Sequence, residues 1–152
     1  VIVFAKAGSD ESAMICGFVA RELGNSGWDS AKCAAMAVIR DGKLSGGVVF
    51  HDWNPDAQVI CMSAAGGRGW LSLDAIYQMH RYCFDDAGAQ LSVLQVSEHN
   101  SLMRRTAEKF GYSGVTVPRL RGRNEDEVIY TLPEEVWRSH PLTKRAEKRA
   151  II

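Results

Sequence analysis

Ala64-Ala65-Gly66-Gly67-Arg68-Gly69-Trp70-Leu71-Ser72 joins an apolar segment, Ala57 to Ala64, to a stretch with helical apolar spacing from about Trp70 to Ala87. Three glycines within four residues let a backbone turn tightly and approach a ligand closely. A helix that starts there presents unpaired N–H groups and the positive end of its dipole. A strand, a glycine turn and a helix start in that order favour an anion, usually phosphate.

Downstream, Leu73, Ile76, Tyr77, His80, Phe84 and Ala87 recur at i, i+3, i+4 and i+7 and predict one helix face packed on a sheet. His80 reads as a hydrogen-bonded packing residue on that face. Ala89 to Val96 is the next strand, and the intervening helix makes it parallel to the strand ending at Ala64. Ser97-Glu98-His99-Asn100 then opens a helix to Phe110, with Asn100 as N-cap and Gly111 as its stop. Val115 to Leu120 and Glu127 to Leu132 read as a hairpin, with Pro118 marking an edge strand. Leu132 to Arg138 contains a short helix, and Leu142 to Ile152 is a basic amphipathic tail with Lys144, Arg145, Lys148 and Arg149.

Upstream, Val1 to Ala5 is a short strand, and Ser9-Asp10-Glu11 caps a helix running through Leu23 to a stop at Gly24-Asn25. Cys33 to Ile39 and Leu44 to His51 form a hairpin around Arg40-Asp41-Gly42-Lys43, whose Asp-Gly pair suits a type I′ turn. Asp52 to Asp56 is a second turn, so three antiparallel strands lead into the glycine turn.

Lys and Arg number 18, as do Asp and Glu, so the whole molecule has no field that draws it to nucleic acid or an acidic membrane. Nucleic acid is therefore disfavoured as a partner; only the tail and Arg119, Arg121 and Arg123 speak for it. At 152 residues and 46% hydrophobic, the chain suits one domain, 1 to 138, followed by the tail, 139 to 152. Cys16, Cys33, Cys61 and Cys83 lie in apolar segments without C-x-x-C spacing, so they read as core residues and no metal is expected. No apolar run reaches the ~18 residues of a membrane span, and the expectation is a cytoplasmic protein with reduced thiols.

The order of elements, with Gly67-Arg68-Gly69 opening a helix and Asn100 to Tyr112 following the next strand, resembles the GNAT (Gcn5-related N-acetyltransferase) superfamily. It is most similar to the ribosomal-protein N-acetyltransferase branch and to phage- and prophage-encoded relatives, whose N-x-x-x-x-x-x-x-E-K-x-G-F pattern corresponds to Asn100, Glu108, Lys109, Gly111 and Tyr112. The resemblance implies an α/β (α+β) fold with a mixed, mostly antiparallel sheet of about seven strands, flanked by helices and splayed between strands 4 and 5. It implies acetyl-CoA in that gap, lined by Ser63, Ala64 and Ala65. Gly67, Arg68, Gly69, Trp70, Leu71 and Ser72 would hold the phosphates, and Asn100 and Arg104 would contribute from the next helix. The sequence departs from the family at three places. Ala64 stands where a Gln or Arg usually begins the cofactor loop, and Ala107 and Met103 stand where relatives carry a Tyr or Ser acid.

Acetyl transfer to an amine needs a base, since a lysine-type amine has a pKa of ~10.4, an oxyanion donor, and a proton for the leaving thiolate. The base candidates are His51 and Asp52, then Glu98 and His99; Ser101 is the nearest hydroxyl that could replace the missing acid. Two functions stay open on this reading: an N-acetyltransferase acting on a protein N-terminus, a lysine or a small-molecule amine, and a GNAT-fold module that binds CoA or a partner without turnover. Modification of a nucleic-acid amino group is a weaker third. Homodimerisation is also left open.

Overall fold

The computed structural model describes residues 1–151; Ile152, the last residue of the expected tail, lies outside them. The chain runs β1 (Ile2–Ala5), α1 (Asp10–Leu23), β2 (Ala34–Arg40), β3 (Lys43–Asn54), β4 (Val59–Gly66), α2 (Leu73–Arg81), β5 (Leu91–Ser97), α3 (Ser101–Lys109), β6 (Ser113–Val117), β7 (Glu127–Pro133), α4 (Glu134–Ser139) and α5 (Pro141–Ile151). The strands form one seven-stranded sheet in the order β1-β2-β3-β4-β5-β7-β6, in which β4 and β5 are parallel and every other pair is antiparallel.

Strand alternation divides the core into two layers. Ala35, Ala37 and Val49 point to one face, where Ile15, Cys16 and Val19 of α1 cover them. Met36, Val48, Phe50 and Met62 point to the other, beneath Met79, Cys83, Phe84 and Trp137. His51 and Ser63, each one residue beyond a side chain of the second layer, therefore fall on the α1 side.

The expected start of α1 is present in detail: the Ser9 hydroxyl accepts from the Ser12 N–H at 3.1 Å, and Gly24 closes the helix in the left-handed region. The β2–β3 turn has Asp41 and Gly42 at φ 52° and 73°, as a type I′ turn requires.

Several boundaries differ from the sequence reading: β3 runs on through Asn54, so Asp52 to Asn54 belong to the strand rather than to a turn, and β4 starts at Val59 and runs to Gly66. The helix expected from Trp70 begins at Leu73, because Ser72 is its N-cap and its hydroxyl accepts from the Ala75 N–H at 3.1 Å. That helix stops being α-helical at Arg81 and continues as a π-helical turn over Tyr82–Asp86. The edge strand β6 ends at Val117 rather than Leu120; Pro118 lacks a ladder donor, and Arg119 turns away at φ 65° with its N–H on the Asp126 carboxylate. The C-terminal segment is a helix packed on α2 and α4, with Thr143 and Ala146 buried.

A buried polar chain ties α2 to β5. The His80 Nδ1–H donates to the Ile76 carbonyl at 2.7 Å, the Tyr112 hydroxyl donates to His80 Nε2 at 2.6 Å, and the Ser92 hydroxyl donates to Tyr112 at 2.8 Å. The carbonyl can only accept, and this fixes the tautomer and the direction of the other two bonds. Burial pushes the His80 pKa down to about 4.

Candidate active site

The parallel pairing of β4 with β5 runs from Val59↔Leu91 to Met62↔Leu94 and then stops, although β4 continues to Gly66 and β5 to Ser97. Beyond Met62 the β5-facing backbone groups of β4 therefore have no strand partner, while the other edge stays paired to β3 through Gly46↔Gly66. Such groups bind an extended ligand readily, because unpaired backbone polar atoms are costly to leave unsatisfied. A cavity of about 250 Å³ opens at the divergence, lined among others by Trp28, His51, Asp52, Ser63, Ala64, Gln95, Ser97, Asn100, Met103 and Arg121.

At its wall stands a chain of three side chains. His51 Nδ1 lies 2.5 Å from Asp52 Oδ2, and His51 Nε2 lies 2.9 Å from Ser63 Oγ. A carboxylate accepts only, so the neutral ring carries its proton on Nδ1 and takes the Ser63 O–H on Nε2. Neighbouring residues of a regular strand point to opposite faces, so His51 and Asp52 could not normally meet. They meet because β3 bulges between His51 and Asn54 and Asp52 adopts φ 52°, a left-handed conformation that a short polar side chain tolerates. The imidazole is 7% exposed and packs against the Trp28 ring at 5.3 Å, whereas the Asp52 side chain is 75% exposed. The ring is thus held on three sides, and its carboxylate partner faces solvent.

Cys61, directly opposite His51 in the ladder, completes a group whose donor atoms lie within 4.8 Å of one another, near enough to hold a metal ion. Burial, with the Asp52 charge adding to it, pushes the Cys61 thiol up and disfavours the thiolate such an ion needs. Burial first, then the neighbouring Cys16, Asp52 and Asp29, raise Cys33 to about 11.

A second opening continues past Ala64 along the glycine turn and is lined by Ala65, Gly66, Gly67, Arg68, Gly69, Trp70, Leu71 and Asn100. The glycines divide the work. Gly66, with Gly46 opposite, seats the buried Trp70 indole: a Cβ on Gly46 would come 2.1 Å from Trp70 Cε3, and one on Gly66 would come 2.5 Å from the ring. The Gly67 N–H donates to the Ser45 carbonyl at 2.8 Å, and the Trp70 N–H donates to the Gly67 carbonyl at 3.2 Å. Gly69 turns the chain at φ 75°, and its carbonyl accepts from Arg40 at 3.1 Å. Among the described residues, the N–H groups of Arg68, Gly69 and Leu71 meet no acceptor. These three amides stand beside the exposed Arg68 and shortly before the start of α2, where an incoming anion is favoured.

The other residues read from the sequence are placed as follows. Asn100 caps α3, its Oδ1 accepting from the Met103 N–H at 3.2 Å, and borders both openings. The Arg104 guanidinium donates to the Tyr130 hydroxyl and the Glu98 carbonyl. Glu98 turns away from the gap, its carboxylate accepting from the Asp126 N–H. Ser101 and His99 are exposed and line neither opening. Trp28, Ser97 and Arg121 had no place in the sequence reading of the site. Ser97 donates to Glu125 at 2.5 Å, which holds that carboxyl below its ordinary range, and Arg121 pairs with Glu127 at 2.7 Å; together they tie the β6–β7 loop to the end of β5.

No protein-family model and no curated protein matches this sequence. Solved structures do. A GCN5-related N-acetyltransferase from Brucella melitensis superposes with a TM-score of 0.64 at 23% identity over 78% of this chain, which spans 57% of that protein's length. A point mutant of spermidine N-acetyltransferase SpeG from Vibrio cholerae gives 0.70 at 12% identity, covering 91% of this chain and 98% of that one. The ribosomal-protein-S5-alanine acetyltransferase of Vibrio fischeri gives 0.60 at 10% identity, over 69% of this chain and 63% of that one. The chain therefore has the fold of the GCN5-related N-acetyltransferases. Among the described residues no helix is long and apolar enough to cross a membrane.

Proposed function

We propose that this chain is an acetyl-CoA-dependent N-acetyltransferase whose acceptor is a primary amine. The observation that carries the proposal is the continuous path from the His51–Ser63 pair, along the unpaired edge of β4, to the free amides of Arg68, Gly69 and Leu71. A chain that ends in phosphates and carries a reactive group at the other end matches that path. When bound, acetyl-CoA supplies an acetyl group activated as a thioester. Ser63, Ala64 and Ala65 would pair with its pantetheine arm, and Gly67 to Ser72 and Asn100 would surround its phosphates. Within that run the donors are Arg68, Gly69 and Leu71, since Trp70 is buried and Gly67 is already bonded.

His51 is the base of this reading. Asp52 holds the ring in the tautomer whose Nε2 lone pair faces Ser63 and stabilises the imidazolium that forms on protonation. The exposed Asp52 carboxylate also attracts an approaching ammonium group. Among the side chains lining the gap, His51 is the one imidazole, a group that can both accept a proton and return it. It therefore takes the proton from the amine and returns one to the leaving thiolate, a task for which Ala107, which is buried, and Met103 have no chemistry.

That same lack of a dedicated acid supports a second reading, a CoA-binding module without turnover. A thiol-release assay with acetyl-CoA and a panel of amines and peptides, run from pH 6 to 9, separates the two. Release should rise with pH and fall on the order of 100-fold in His51→Ala, with a smaller loss in Asp52→Asn. CoA binding without release to any amine favours the second reading.

A further inference from the structure

We infer that this chain carries a second ligand site, on the face of the sheet opposite His51, and that the site takes a small planar aromatic carboxylate. The inference goes beyond the proposed function and does not rest on acetyl-CoA binding. A cavity of about 510 Å³ opens beside the ends of β1 and β3, lined among others by Phe4, Lys6, Lys32, Phe50, Trp53 and Tyr82. It is about twice as large as the cavity where β4 and β5 part, and within the range of small-molecule sites.

Two departures from regular structure build its aromatic wall. The first is the β3 bulge. On an unbroken strand Trp53 would share the α1 face with Val49 and His51. Pairing passes from His51↔Cys61 to Asn54↔Val59, so β3 holds one residue more than β4 there, and Trp53 turns to the face of Phe50 and Ile60. The second is the π-helical turn that follows α2. At about 100° per residue, an α-helix would set Tyr82 and Ala87 roughly 140° apart. The Ala87 N–H instead donates to the Tyr82 carbonyl at 2.8 Å, closing a wider turn that brings both residues to the cavity. Such turns are rare and recur at functional sites. The Tyr82 ring lies 4.3 Å from that of Phe50 and 5.8 Å from that of Phe4, while Phe4 and Trp53 stay 38% and 41% exposed. Exposed rings around a hollow of this size offer a stacking surface to another flat ring.

Charge selects the kind of ring. The charged side chains that line the cavity, Lys6 and Lys32, are both cationic, and neither has a salt-bridge partner among the described residues. Their backbones are held in place. The Ser9 N–H and hydroxyl both donate to the Lys6 carbonyl, at 3.1 and 2.6 Å, and Lys32 ends a 3₁₀ turn with its N–H on the Asp29 carbonyl at 3.0 Å. The nearby carboxylates are taken up elsewhere: Asp29 caps that turn through the Ala31 N–H at 3.1 Å, and Asp86, whose charge reaches Tyr82, pairs with Arg81 at 3.9 Å. A neutral or cationic aromatic compound would leave both ammonium groups unmatched, whereas a carboxylate on the ring meets them.

Titration calorimetry with 2-naphthoate, beside nitrogen-15 indole spectra, tests the inference. One site with a Kd near or below about 1 mM is expected, with the Trp53 indole resonance shifted and that of Trp28 unmoved. The neutral analogue 2-naphthol should bind at least tenfold more weakly. Lys6→Gln combined with Lys32→Gln should weaken 2-naphthoate binding at least tenfold, as should Trp53→Ala; all three side chains are exposed, so the fold is kept. Lys109→Gln, on the exposed side of α3, should leave it unchanged. Saturating CoA should change the affinity by less than about twofold, since the gap lies on the other face of the sheet. No binding at several millimolar overturns the inference, and so does equal affinity for 2-naphthol. Displacement of 2-naphthoate by CoA, or a shift confined to Trp28, puts the ligand in the gap and also overturns it. None of these results bears on whether the gap binds CoA.

Discussion

Lowering the pH from 7 toward 4 should destabilise this protein before its carboxylates are fully protonated, and His80 is the reason. Its ring lies buried between α2 and β5, holds its proton on Nδ1 for the Ile76 carbonyl, and offers Nε2 as acceptor to Tyr112. Protonation of Nε2 would set a donor against the Tyr112 hydroxyl and bury a charge. Burial accordingly lowers the folded pKa from the ordinary 6.5 to about 4, with the Ile76 bond opposing it weakly. Between those values the unfolded chain binds the extra proton and the folded chain does not, so stability rises with pH across this window. It is complete above about 6.5 and lost as pH falls toward 4. At about 1.4 kcal/mol per pH unit, the interval is worth roughly 3 kcal/mol, a large part of an ordinary domain's stability. Urea titrations at half-unit steps from pH 4.5 to 7.5, on the parent and on His80→Gln, measure it. The parent should lose roughly 2 to 3 kcal/mol over that range, while the variant starts lower and changes much less. Equal slopes in the two proteins would refute the assignment of a buried neutral imidazole.

Three other outcomes follow from particular contacts. Gly46→Ala forces a methyl into the Trp70 ring, so it should cost about 1 to 3 kcal/mol by chemical denaturation and shift the tryptophan emission as the indole is displaced. Asn100→Ala removes the cap bond to Met103 and should cost ~1 kcal/mol, with CoA affinity falling as the start of α3 frays beside both openings. Gly69→Asp keeps a residue type that tolerates positive φ while setting a negative charge among the phosphate donors. Calorimetry should show CoA affinity reduced at least tenfold with the fold unchanged.

How far the sequence could be read depended on the range of the interactions that decide each feature. Local rules were enough for α1, whose cap and stop lie within three residues of its ends, for the Asp41-Gly42 hairpin and for the Asn100 cap. The parallel relation of β4 and β5 was legible from the helix between them, whereas the gap was implied by the family resemblance alone. Features set by contacts between distant segments were not. Trp70 lay at the expected helix start and read as a residue around the phosphates. It is a core residue because Gly46, twenty-four positions away, leaves room for its ring. Ser63 read only as a residue lining the cofactor. Its bond to His51 depends on the β3–β4 register and on an off-pattern φ at Asp52, which a period-two reading cannot anticipate. Glu98 and Arg104 have the right chemistry and stand near the site in sequence, but a long-range partner claims each: Asp126 for the carboxylate and Tyr130 for the guanidinium. The basic tail gave no sign of its docking on α2, since its buried positions, Thr143 and Ala146, are small and weakly apolar.

A nitrogen-15 amide spectrum recorded during CoA titration reads directly whether a CoA-type ligand lies along β4 with its phosphates on the three unpaired amides. The Arg68, Gly69 and Leu71 resonances should move downfield together and saturate at one equivalent, because each gains a charged acceptor, while Gly67, already bonded to Ser45, moves little. Saturation with those three resonances unmoved, or no change anywhere at millimolar CoA, would contradict it.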